Sequence, residues 1–358
     1  MVRIIISMVL VFLIVACGSK NGDSNSSNKV LPPASGDPGE IVIVTDKSKY
    51  NGALGDAIKE VFLAEVPGLT REEPMFTLRV IEPTDFNRIF RLSRNLVYIV
   101  SLEGNSSADR WLQNTFSKAS KELIRNNPDR FMETSENQFA KNQKVLQLFA
   151  ENDKALAEKI RENAKVIQNY FNNAETERLS ESLGMSVASR EIVNRIREKL
   201  GVSIKVPAEY ELAMLQKDFA WMRFLPGRGP SKNLFIYKKN YTSEAAFTEE
   251  NVIKLRNEVG KKYIFGDPEN KASYMVTETK YLDPVFRKIN FRGKYTIEMR
   301  GAWKTNNFSV GGPFVSYTFV DEEEGILYYV EGFVIHPNEK HRELIREMES
   351  LLNTFRLR

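Results

Sequence analysis

The sequence predicts an α+β protein whose largely antiparallel sheets are covered by helices, set out as two subdomains around a helical middle. Three observations carry this. Residues 274–281, 294–303, 314–320 and 326–335 form a run of apolar, β-branched and aromatic segments separated by turn residues. From Asp153 onward, Leu156, Ile160, Ala164, Ile167, Phe171 and Ala174 recur every three or four residues, which is a helical face. The chain then closes on a stripe of Leu344, Ile345, Met348, Leu351, Leu352 and Phe355, a helix with one side to bury.

In chain order, residues 40–45 are compact and β-branched and read as a buried strand. Residues 51–65 place Leu54, Ile58, Val61 and Phe62 on one helical face that stops at Pro67-Gly68. Residues 76–81 and 95–102 read as strands. Between them Thr84 is expected to cap a short helix running to Leu92. A helix is expected over 109–124, a strand over 144–150, one long amphipathic helix from Asp153, and another helix over 189–200 ending at Gly201. Residues 218–225 and 233–241 read as a hairpin with Pro226-Gly227-Arg228-Gly229-Pro230 at its tip. Thr248 should cap a helix opening on Glu249 and Glu250, where carboxylates suit the positive end of the dipole. In 326–335 both alternating faces are apolar, so that strand should be covered on both sides. Pro337 is expected in the first turn of the terminal helix.

The amino terminus carries an address. Met1-Val2-Arg3 precedes an apolar run, Ile4 to Val15, too short to span a bilayer and right for the core of a secretory signal. Ile14-Val15-Ala16-Cys17 resembles the lipobox of bacterial lipoproteins, which implies cleavage after Ala16, acylation of the Cys17 thiol and a palmitate-type anchor. Cys17 is the only cysteine, so acylation consumes the one thiol and no disulfide is possible within the chain. Gly18 to Gly39, rich in Gly, Ser, Asn and Pro, is expected to be a disordered tether spanning about 25 Å. The predicted organisation is a signal peptide at 1–16, lipidated Cys17 and tether at 17–39, and α+β domains at 40–204 and 205–358. Gly18 at the second mature position and the lack of an acidic run resemble outer-membrane lipoproteins facing the periplasm.

Composition narrows the chemistry. The net charge of +4 is spread among interspersed acids and bases with no block of basic residues, which argues against nucleic acid as a partner. No P-loop, G-x-G-x-x-G or G-x-S-x-G motif occurs. The two histidines, His336 and His341, lie five apart with a proline between them, a spacing unlike the i, i+4 zinc pair, and read as surface or capping residues. Asp321-Glu322-Glu323-Glu324-Gly325 lacks alternating oxygen ligands and reads as a solvated hairpin tip. The aromatic set Phe219, Trp221, Phe224, Phe235, Tyr237 and Tyr241 fits core packing, with a ligand groove as the alternative. No catalytic, metal-binding or cofactor-binding residue is singled out, and no cofactor is implied.

Two resemblances follow. Leu31-Pro32-Pro33-Ala34-Ser35-Gly36 leading into Glu40-Ile41-Val42-Ile43-Val44, Asn51-Gly52, Glu73-Pro74-Met75-Phe76 and Tyr328-Tyr329-Val330-Glu331-Gly332-Phe333-Val334 resemble a group of Bacteroidota lipoproteins filed as a domain of unknown function. That resemblance implies origin and envelope location and brings no activity. The second half, antiparallel strands followed by a helix ending Leu351-Leu352-Asn353-Thr354-Phe355, looks like the α/β/α sandwich of the Mog1 and PsbP-like proteins. The resulting expectation is a non-enzymatic envelope lipoprotein, held on the membrane by acyl chains on Cys17, that binds a protein, glycan or lipid partner or assists assembly. The alternative is a hydrolase using paired carboxylates on a glycan or cell-wall substrate.

Overall fold

A computed structural model describes residues 31–358 apart from Pro128 and Pro268; Cys17 and the signal segment lie outside the described residues. The first sheet grows from β1 (Glu40–Val44), followed by α1 (Lys47–Tyr50), α2 (Ala53–Phe62), β2 (Thr77–Ile81), α3 (Arg88–Arg91), β3 (Asn95–Ser101), α4 (Ser107–Gln113), α5 (Lys118–Asn126), β4 (Met132–Glu136) and β5 (Lys144–Ala150). Its strand order is β2-β1-β3-β5-β4, parallel except for β4 at one edge. Parallel strands need covering on both faces, and β1 and β3 are accordingly apolar almost throughout. Leu54, Ile58, Phe62, Ile160 and Phe171 pack on one face; Phe86, Leu112, Phe116 and Ile124 pack on the other.

The helical middle is α6 (Asp153–Glu162), α7 (Ala164–Ser182) and α8 (Val187–Leu200). The second sheet comprises β7 (Glu211–Leu215), β8 (Phe219–Phe224) and β9 (Ser231–Asn240), then, after α9 (Glu249–Tyr263), β10 (Phe265–Asp267), β11 (Asn270–Thr277), β12 (Val285–Phe291), β13 (Lys294–Thr305), β14 (Gly311–Asp321) and β15 (Ile326–Ile335). The chain ends in α10 (Arg342–Leu352) and β16 (Arg356–Leu357), which pairs with β6 (Val202–Ser203). The order is β10-β11-β13-β14-β15-β9-β8-β7, antiparallel throughout, with β12 beside β13. Helices α8 and α10 cover one face, through Ile196, Ile345, Met348 and Leu351; α9 covers the other, through Val252, Leu255 and Val259. The α+β class, the helical middle and the double covering of β15 are therefore as the sequence predicts.

Several local expectations change. The short helix after β2 is capped not by Thr84 but by Asn87, whose Oδ1 accepts the N–H groups of Ile89 and Phe90. The expected helix over 109–124 is two, because Thr115 Oγ1 donates to the Leu112 carbonyl and Ser117 caps a new start at Lys118 by accepting the Ser120 N–H. The helix expected to run unbroken from Asp153 divides at Asn163, whose Nδ2 donates to the Lys159 carbonyl. In each case a short polar side chain competes with the backbone for its own hydrogen bonds. Part of the expected tether is docked: Pro33 bridges to Lys141 and Ser35 to Ser93, with the Ser35 N–H donating to the Leu92 carbonyl at 2.8 Å.

The terminal helix corrects a further point. Pro337 is in a turn outside it, and the helix begins at Arg342. Its start is set by Glu73, whose carboxylate accepts the N–H of His341 at 2.6 Å and of Arg342 at 3.1 Å. A carboxylate there meets both the unpaired donors and the positive dipole end. Arg346 on the same helix donates to the Met75 carbonyl and to Asn172 Oδ1, and Ser350 donates to the Thr176 carbonyl. So α10 buries one side in the second sheet and holds the first half with the other.

Two glycines permit close approach. A Cβ on Gly260 would fall 2.4 Å from the Met275 carbonyl oxygen, so its absence lets α9 lie against β11. A Cβ on Gly332 would fall 2.5 Å from Met348 Cβ, where α10 crosses β15.

Candidate functional site

Because the second sheet curls, its edge strands β7 and β10 both border a cleft of about 860 Å³ at the end of α9. That size is within the roughly 300–1,000 Å³ of small-molecule sites. The walls are apolar: Met214, Trp221, Leu225, Met275, Trp303 and Phe333 contribute most of the character. Tyr263, at the end of α9, stacks on Phe219 with centroids 4.1 Å apart and planes 5° from parallel. Its phenol is held above its ordinary pKa by burial and donates to Asp218 at 2.8 Å. Burial raises Asp218, but Tyr263 and Lys262 outweigh it and hold the carboxylate below its ordinary value. Trp303 lies edge-on to Phe333 at 5.1 Å, and its Nε1 donates to the Val334 carbonyl. These side chains are locked before any ligand arrives.

The polar groups in the cleft are few and of one sign. Arg223, Lys262 and Lys271 are its charged residues, and none of the described lining residues is Asp or Glu. Lys262 pairs with Asp218 at 3.2 Å. Arg223 uses Nε on Glu211 at 2.7 Å and lies over the Trp221 ring, while its two Nη groups bond nothing among the described residues. Exposed Lys271 has no ion-pair partner among the described residues. Asn233, only 2% exposed, accepts the Trp221 Nε1 proton on Oδ1 at 3.1 Å; that bond fixes its orientation and leaves Nδ2 as a donor without a partner among the described residues.

A second candidate lies where the order of the first sheet reverses, outside the carboxyl ends of β1 and β3, the usual ligand crevice of open parallel sheets. Lys49 is there, with Nζ 2.7 Å from Asp109 and 2.9 Å from Asp153. Burial pulls the Lys49 ammonium down, and the two carboxylates outweigh it, leaving it above the ordinary lysine value. Asp109 is further engaged in a capping box with Ser106. A lysine so held is a cation with its hydrogen bonds directed inward, not a base.

The residues weighed from sequence fall as follows. His341 is buried and supplies only its backbone N–H at the start of α10, while its Nε2 is 3.0 Å from the His336 carbonyl oxygen. Among the described residues no group of three His, Cys, Asp or Glu is placed to hold a metal ion, and no helix is long and apolar enough to cross a membrane. Gly227–Pro230 and Asp321–Gly325 are hairpin tips, with positive φ at Gly229 and Gly325. Of the aromatic set, Phe219 and Phe235 are core, whereas Trp221 lines the cleft. Asn233 and Arg223 were not singled out in the sequence; the available signal was a polar residue on the inward-facing positions of otherwise apolar strands.

The fold and cleft thus define an α+β protein with two main sheets and a preformed apolar site on the antiparallel one. Residues 34–184 match the family described as Domain of unknown function (DUF8532), and residues 189–354 match Domain of unknown function (DUF4837). No curated protein matches. Among solved structures, the chain is similar to a mutant of the protein Mog1 at 8% identity, covering 44% of this chain and 90% of that one, with a TM-score of 0.28. The Saccharomyces cerevisiae Ran-binding protein Mog1p gives 7% identity, the same coverage and a TM-score of 0.28. A protein from Bacteroides thetaiotaomicron VPI-5482 gives 13% identity over 44% of this chain and 45% of that one, with a TM-score of 0.19.

Proposed function

We propose that this chain is a binding protein of the bacterial cell envelope, tethered through acylated Cys17, that shelters an apolar small molecule and performs no chemistry on it. The observation that carries the reading is the cleft of about 860 Å³, walled by aromatic and aliphatic side chains already fixed by one another. Hydrolysis of a glycan by two carboxylates would need a facing pair about 5–9 Å apart across the substrate. The described lining residues supply cations instead. Binding is therefore the better-supported of the two functions; Gly18 and the lack of an acidic run support an outer-membrane, periplasm-facing position, and the resemblance carried by residues 31–76 and 328–334 supports Bacteroidota origin.

The test uses the uncharged fluorophore N-phenyl-1-naphthylamine. The full chain should bind it saturably at one site, with energy transfer from Trp221 and Trp303. Val310→Trp, which fills the cleft, should abolish that signal. Binding that Val310→Trp leaves intact would place the ligand elsewhere and defeat the reading. For the anchor, cells fed an alkyne fatty acid should label the wild-type chain and not Cys17→Ala; label on the variant would refute lipidation at Cys17.

A further inference from the structure

Resting on the cleft as a binding site, we infer that its occupant is an apolar chain ending in a carboxylate, of the long-chain fatty-acid class, and that Asn233 and Arg223 hold the carboxylate. A buried amide donor without a partner carries a desolvation cost that an acceptor on a ligand removes. Asn233 Nδ2 is such a donor on the cleft wall, and Trp221 prevents the amide from turning over to present its oxygen instead.

Arg223 is directly opposite Asn233 in the β8–β9 ladder. Directly opposed residues on one face have Cβ atoms about 4.5–5.5 Å apart, a separation that the two oxygens of one carboxylate can bridge. Arg223 retains both Nη groups for that purpose, because Glu211 takes only Nε. An Arg guanidinium is the side chain best matched to a planar carboxylate. Lys271 adds to the lining a cation without an ion-pair partner among the described residues. Lys262 is engaged by Asp218, and the walls formed by Met214, Met275, Trp303 and Phe333 suit a hydrocarbon chain. A neutral alcohol of the same length would fill the same walls but offer the two Nη groups no charged acceptor.

The experiment displaces N-phenyl-1-naphthylamine from the full chain with palmitate and, separately, with hexadecanol, at matched ionic strength. Palmitate should bind at least about tenfold more tightly than hexadecanol, the size of a charge-assisted hydrogen bond. Arg223→Gln and Asn233→Asp should each remove about that factor for palmitate and leave hexadecanol unchanged, and Arg223→Lys should restore part of it. Equal affinity of the two lipids in the wild type, or substitutions that weaken both equally, would overturn the carboxylate assignment. The wild-type ratio requires no variant, so it decides the matter even if a substituted chain does not fold. If the fluorophore itself does not bind, the cleft reading fails and the carboxylate assignment falls with it. If it binds but the lipids are not distinguished, only the assignment fails.

Discussion

Replacing Glu331 by glutamine tests how the second sheet is held to α9. Arg256 and Glu331 are both fully buried and paired twice, Nε to Oε2 at 2.8 Å and Nη2 to Oε1 at 2.7 Å. Arg256 also donates to Thr277 Oγ1, and its guanidinium lies 3.9 Å from the Phe314 centroid. Tyr329 donates its hydroxyl to Glu331. Glu331→Gln keeps the shape and removes the only counter-charge that Arg256 has among the described residues, leaving it ionised in a dry site. Breaking one side of such a pair costs about 3–5 kcal/mol, against a total stability of about 5–15 kcal/mol for an ordinary domain. With a urea dependence of about 3 kcal/mol per molar for a chain this long, the unfolding midpoint should fall by about 1 M or more.

The companion is the triple variant Arg256→Met, Glu331→Leu, Tyr329→Phe, which removes both charges and the hydroxyl that would otherwise lose its acceptor. Apolar replacement of a complete buried pair is often neutral or stabilising. The triple variant should therefore recover most of what Glu331→Gln loses. The reasoning is refuted if Glu331→Gln shifts stability by less than about 1 kcal/mol, or if the triple variant is less stable than the single one.

Three further outcomes are expected. Glu73→Gln removes the charge that caps α10 and should cost about 1–2 kcal/mol, with faster amide exchange at His341 and Arg342 as the specific readout. Burial holds the His341 imidazole below its ordinary value of 6.5; the folded state thus favours the neutral ring, so its contribution is present above pH 6.5 and is lost as pH falls through the lower folded value. Stability measured between pH 7.5 and 5.5 should decline less steeply in His341→Gln, and an unchanged slope would exclude His341 as the cause. Gly260→Ala should destabilise by about 1–3 kcal/mol from overpacking against the Met275 carbonyl, measured by thermal or urea unfolding, whereas Gly227→Ala at the open hairpin tip should be near neutral.

Much of the local structure was legible because its causes are local. The apolar faces of α2, α8 and α10, the Thr248 cap of α9 and the αL Gly201 after α8 each depend on residues within a turn or two of one another. The misplaced boundaries at Asn163 and Ser117 arose where a side chain and the backbone compete for one hydrogen bond, an outcome that periodicity cannot weigh. The docked stretch at Ser35 was hidden for a different reason: a Gly- and Pro-rich segment can still pair by its backbone with the loops that lead into β3 and β5.

By itself, the sequence determined the α+β class, most of the helices and strands, and the expectation of a chain whose only thiol is Cys17. Only the tertiary structure decided the candidate site. Its walls come from seven strands and the end of α9, and the pairing of Arg223 with Asn233 is a matter of register across two strands. It also decided where α10 begins, since the cap is Glu73, distant in sequence. Periodicity reports which face of an element is buried, while strand order and register arise from contacts between distant segments, and a cleft exists only once those are set.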